Sequence, residues 1–241
     1  MSKKVSVLLM TLVLVGVLAF APPPGHAAVI AFNTPTGATL GGQPVDAAVT
    51  FTTGAGTIHV TLQDLLANPT DVGQLLSDLS FHIAGTTSNL TGTLTGSVGQ
   101  EVTVNSNGTF TPGSNVSTGW ALSGGTGGTF LLNVLGTPIG PAHLIIGPPN
   151  SGTGTFSNAN GSIAGNGPHN PFLFEVASFD LSVSSVTANT SIDNVVFSFG
   201  TTPGANVPAA GSSVPEPGTL LLLGAGLAGV AGAARWGHRR S

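Results

Sequence analysis

Four histidines stand in the central part of this 241-residue chain: His59, His82, His143 and His169. An imidazole can ligate a metal or move a proton near neutral pH. The spacing supports neither role, since no two are close and no His-Glu-x-x-His occurs. Gly-x-Ser-x-Gly is also missing, so the elbow that presents a hydrolase nucleophile is not there. Paired carboxylates for glycoside hydrolysis would have to come from the distant Glu101 and Glu175. The chain has no cysteine, which removes thiolate catalysis, zinc–thiolate sites and cysteine-held iron–sulfur clusters. The run Gly124-Gly125-Thr126-Gly127-Gly128 has no following lysine and reads as loop rather than phosphate cradle. No catalytic residue, metal ligand set or cofactor is therefore expected. Calcium is the one cation the composition suits, with Asp193-Asn194 and Asp71 as candidates, although no Asp-x-Asp-x-Asp-Gly loop occurs. Trp120 is the candidate platform for stacking against a sugar.

Any such residue must be positioned by strands. Glycine accounts for 36 residues, and good helix formers are scarce. Thr, Val, Ile and Phe alternate in short runs between Gly, Asn and Pro. Strands are predicted over Ala47–Thr53 and Thr57–Leu62, with a hairpin through Gly54-Ala55-Gly56 and with Ile58, Val60 and Leu62 facing inward. Further strands are predicted over Leu79–Ile83, Leu90–Val98, Glu101–Val104 and Phe130–Leu135. The late runs Phe172–Val186 and Asn194–Phe199 are expected to pair through a turn at 189–193. A long loop or short helix packing over one end of the sheet is expected between Leu62 and Leu79; the segment has room for two short helical turns, with Asp64 and Asp71 as candidate N-caps. Residues 147–171 read as a long surface loop. The whole predicts an all-β domain, an antiparallel β-sandwich or jelly-roll-like fold, over residues 28–200.

Charge is distributed unevenly. All five basic residues lie at the ends: Lys3 and Lys4, then Arg235, Arg239 and Arg240. Between residues 28 and 213 the charged side chains are Asp46, Asp64, Asp71, Asp78, Glu101, Glu175, Asp180 and Asp193, a formal charge of −8. Nucleic acid is excluded as a partner, because nothing in this region neutralises phosphate.

The basic ends border apolar runs. Lys3-Lys4 followed by Val5–Phe20 and Gly25-His26-Ala27 reads as a signal peptide over residues 1–27, cut before Ala28. Residues 201–213 read as a flexible linker. Gly218–Ala234 carries no charge and is just long enough for a transmembrane helix, with Arg235, Arg239 and Arg240 as a cytoplasmic stop. Gly224, Ala228 and Gly232 have the small-xxx-small spacing of closely packed membrane helices.

Val214-Pro215-Glu216-Pro217, then an apolar helix, then terminal arginines, resembles the PEP-CTERM sorting signal of Gram-negative bacteria. The resemblance covers residues 214–241. It implies Pro215, Glu216 and Pro217 as recognition residues for an exosortase, a membrane-embedded transpeptidase-like enzyme. It also implies transient anchoring in the inner membrane, then delivery to the cell surface or outside the cell, often alongside exopolysaccharide and biofilm production. This chain would be the substrate and not itself an enzyme. The alternative from another class is a carbohydrate-binding or carbohydrate-acting β domain, with Trp120 as the contact.

Overall fold

Alternation over residues 47–64 sets two long strands, and the glycines between them set the turn. β-Branched and aromatic side chains fit a pleated, half-buried surface, while glycine supplies the positive φ of a tight hairpin. A computed structural model of the protein describes residues 27–202 and 204–213. The expected signal peptide up to His26, the Pro-Glu-Pro triplet, the expected transmembrane segment and the arginine cluster lie outside the described residues.

The described chain is all-β. In order, the strands are β1 (Ala28–Asn33), β2 (Thr39–Leu40), β3 (Gln43–Pro44), β4 (Ala47–Gly54) and β5 (Thr57–Asp64). Then come β6 (Leu76–Ile83), β7 (Gly92–Val104), β8 (Phe110–Val116), β9 (Ala121–Gly124) and β10 (Thr129–Asn133). The last five are β11 (Ile145–Ile146), β12 (Phe172–Val183), β13 (Ile192–Phe199), β14 (Asn206–Pro208) and β15 (Ala210–Ser213). Gly54 pairs with Thr57 across the β4–β5 hairpin, and Gly56 takes φ +73° there.

Apart from the β2–β3 ladder, the strands belong to one large sheet with two lobes. One lobe runs β14-β13-β6-β10-β9 and the other β8-β7-β12-β5-β4-β1-β15. Strand β11 joins them. Ile145 pairs antiparallel with Leu76 of β6 and parallel with Leu173 of β12. The sheet is thus mixed, and the expectation of antiparallel pairing fails at this step. Parallel neighbours need a long connection, and residues 147–171 supply it. That loop is tied down: Phe156 and Ile163 are buried, Phe156 N–H donates to Gly108 O at 2.8 Å, and Val104 N–H donates to Asn170 Oδ1 at 2.8 Å.

The lobes face each other across the core. Phe51 of β4 and Phe81 of β6 come from different lobes, yet their rings are 5.1 Å apart. Ile58, Val60 and Leu62 point inward as their alternation predicts, as do Phe179, Leu181 and Val183.

Several expected arrangements differ. Strands β12 and β13 do not pair: β12 lies between β5 and β7, while β13 lies between β6 and β14. Their inward faces are alike, and alternation specifies a face without specifying a neighbour. Residues 92–104 form one strand, with its irregularities absorbed at register shifts against β12. Between β5 and β6 the chain is a loop with one short 3-10 turn, Val72–Gln74, in keeping with the expected loop or short helix. Asp71 caps it, whereas Asp64 ends β5 in the interior.

Residues 201–213 also differ from the expected linker, because they contain β14 and β15. Strand β14 pairs with β13 of one lobe, Ala209 N–H donates to Val195 O at 2.9 Å, and β15 pairs with β1 of the other lobe. The segment is a seam that closes the open side of the sheet. Its small residues carry no strand pattern; unpaired backbone groups on two adjacent edges recruit them.

Candidate functional site

The two ends of the described chain meet on one strand pair. β1 and β15 run antiparallel, with Ala31 opposite Ser213 and Asn33 opposite Ala210. Ser213 therefore sits three residues along β1 from Ala28, about 10 Å at the usual rise per residue. The residue after the expected signal-peptide cut and the residue before Val214 leave the sheet on the same side. Only Val214 separates the paired Ser213 from Pro215. Pro215, Glu216 and Pro217, the residues expected to be recognised, thus follow the seam directly in sequence.

The four histidines among the described residues, scattered in sequence, each have a hydrogen-bond partner. His59 Nδ1 lies 2.7 Å from Asp180 Oδ1, and its Nε2 lies 3.5 Å from Thr61 Oγ1. Hydroxyl, imidazole and carboxylate stand in the order of a nucleophilic triad. The row lies on the open outer face of β5 and β12, with His59 48% and Asp180 64% exposed. Activation of a hydroxyl depends on a water-excluded site with donors aimed at the oxyanion. An open sheet face does not provide that exclusion.

His82 is a clasp. Nδ1 lies 2.6 Å from Asp193 Oδ1, while Nε2 lies 3.0 Å from Thr86 O and 3.0 Å from Gly127 O. Every partner is an acceptor, so the doubly protonated ring satisfies them all. The hydrogen bond to Asp193 holds the His82 pKa above its ordinary value, against the opposing effect of burial. The ring thereby ties the loop after β6 to the turn before β10.

His143 is buried at φ +60°, with Nδ1 2.8 Å from Thr118 O and Nε2 3.0 Å from Glu101 Oε1. His169 Nδ1 donates to Ser162 O at 2.6 Å. Glu101 is thus committed to His143, and Glu175 occupies a bulge of β12 at φ +60°.

Trp120 is only 4% exposed. Its Nε1 donates to His143 O at 2.9 Å, and its ring lies 5.3 Å from that of Phe179. A sugar platform needs an exposed ring face, so Trp120 offers none here and acts as core. The glycan-contact expectation for this residue is corrected accordingly: the ring is buried and its N–H is spent on a backbone carbonyl inside the domain.

The calcium candidates have protein partners. Asp71 Oδ1 accepts from Gly73 N–H at 2.8 Å; Oδ2 accepts from Asn160 Nδ2 at 2.8 Å and Ser162 Oγ at 3.3 Å. The Asn160 bond contributes most to lowering the Asp71 pKa. Asp193 faces His82, and Asn194 sits in a bulge of β13 at φ +48°. Among the described residues no three His, Asp or Glu side chains converge as a metal site requires. Asp64 is different: it is buried, and its Oδ2 has no partner. Burial pushes its pKa well above the ordinary value, against the pull of the Leu66 N–H. Burial likewise raises the pKa of Asp78.

The model of the PEP-CTERM protein-sorting motif matches residues 213–240. Comparison with curated proteins and with solved structures found no match. The motif begins at the last residue of β15, so the sorting signal starts where the sheet ends. The chain carries the PEP-CTERM signal and is thereby an exported protein addressed to an exosortase, directed toward the cell surface of a Gram-negative bacterium.

Sequence reasoning reached this signal because its three parts are consecutive. It missed the histidine–acid pairs, whose partners lie 42 to 121 residues apart. It also missed the seam, because Ala-Ala-Gly-Ser-Ser shows no periodicity.

Proposed function

We propose that this protein is a non-enzymatic surface or extracellular-matrix component, held briefly in the inner membrane by residues 218–234 and released when an exosortase cuts at the sorting signal. The carrying observation is the order of parts: every described strand lies before Val214, and the matched sorting motif begins at residue 213. The fold is best classed as a bridged β-sandwich of jelly-roll-like form, with β11 on one side and the seam on the other. A domain of charge −8 without Lys or Arg suits life among hydrated polymers and ions, which supports association with exopolysaccharide or biofilm. Engagement of His82 and His143 in structural hydrogen bonds, and the open position of the His59 row, support the non-enzymatic reading.

Processing is tested by mass spectrometry of envelope and medium fractions from cells with and without the exosortase. Removal of the tail only in cells containing the enzyme is expected, as is an intact tail in a Glu216→Gln variant. An intact tail on all wild-type protein in the presence of the enzyme would refute the proposal.

A further inference from the structure

The seam is unevenly built. Strand β14 contributes the buried Val207 and pairs with β13 through three consecutive residues. Strand β15 is Ala-Gly-Ser-Ser, and both Ala210 and Gly211 are exposed. It meets β1 at two register positions with an irregularity between them, whereas β1 meets β4 in unbroken register from Ala28 to Asn33. A strand at the sheet edge with little apolar burial belongs to the least stable part of a fold and opens locally before the core does.

Position makes this weakness consequential. Pro215 lies two residues beyond the paired Ser213, a reach of at most about 7 Å of extended chain. A peptide taken into an enzyme's cleft binds as extended chain whose backbone is free of other strand partners, so the residues just before Pro215 must be unpaired. While β15 stays paired, the sheet edge occupies the upstream side. Release of β15 back to Ala209 frees residues 210–214, roughly 17 Å of chain, without disturbing the anchor at Val207.

We propose that β15 is a releasable strap: it must peel from β1 for the exosortase to take the sorting motif, and it closes the sheet again on the processed protein. The proposal rests on the exosortase reading above and adds a conformational step to it.

The absence of cysteine makes the test clean. Directly opposed antiparallel residues have Cα atoms about 4.5–5.5 Å apart, within the range a disulfide spans. Ala31→Cys with Ser213→Cys therefore places one possible disulfide across the strap, in an exported compartment that oxidises it. The full chain is expressed with the exosortase, and tail removal is followed by mass. Wild type and each single-cysteine variant are expected to be processed, while the oxidised double variant accumulates with its tail intact. Reduction, or six Gly/Ser residues inserted between Ser213 and Val214 of the locked chain, is expected to restore processing.

Processing of the oxidised double variant at the wild-type rate would overturn the strap. So would failure of the insertion to restore processing, because spacing would then not be what the lock changed. An unprocessed wild type is a distinct result: it removes the exosortase reading, and the strap with it.

Discussion

Trp120 links the interior of this domain to a direct measurement. Its indole is 4% exposed, stacks obliquely on Phe179 at 5.3 Å, and donates to the backbone carbonyl of His143 at 2.9 Å. Replacement by alanine removes a buried aromatic and leaves a cavity, at a cost of about 3–5 kcal/mol. The orphaned His143 carbonyl adds about 1–3 kcal/mol unless water reaches it. Trp120→Phe keeps most of the volume and isolates that second cost. For a domain of this size each kcal/mol lowers the Tm by about 2–4 °C, so Trp120→Ala should melt at least about 6 °C lower. The assay is thermal or urea unfolding of the processed protein. Trp236 lies in the sorting signal, so removal of the tail leaves Trp120 as the sole tryptophan. Its emission should be blue-shifted in the folded protein and move to the red in a single step on unfolding. A fully solvent-like emission before unfolding, or a Trp120→Ala variant as stable as wild type, would refute the placement of this ring. Either result would also return Trp120 to the role of an exposed sugar platform.

Two further predictions concern pH. The folded-state pKa of His82 is raised, so the clasp stabilises fully below the ordinary histidine value near 6.5 and loses that contribution as pH rises through the folded value. Urea midpoints of wild type relative to His82→Gln should therefore fall with rising pH in that window; a constant difference would refute the clasp. The folded-state pKa of Asp64 is also raised, but for a carboxyl this means stability is present below its ordinary value near 3.8 and is lost as pH rises through the folded value. Stability of Asp64→Asn relative to wild type should climb with pH above that point, and a pH-independent difference would show that the carboxyl is solvated.

Much of the architecture was legible in local pattern. Val49, Phe51, Ile58, Val60 and Leu62 reveal a face because side chains alternate across a strand, and the Gly56 turn follows from the need for positive φ. The wrong partner for β12 came from the same rule, since Phe179 and Phe197 are equally inward and sequence proximity suggested a hairpin. The chemistry was less legible. His59 with Asp180, and His82 with Asp193, meet only because β12 and β13 are laid beside β5 and β6.

The linear sequence by itself determined the destination of this protein, because a sorting signal is a local, ordered string: Pro-Glu-Pro, an apolar run and terminal arginines. It also determined that the domain would be acidic, free of thiols and built of strands. Tertiary structure alone decided that Trp120 is core, that Asp64 is a buried acid, and that residues 206–213 are a seam between two lobes. The physical reason is long-range pairing. Backbone hydrogen bonds carry no side-chain code, so an edge accepts whatever segment the fold brings to it. Here that segment is the last stretch of chain before the sorting signal.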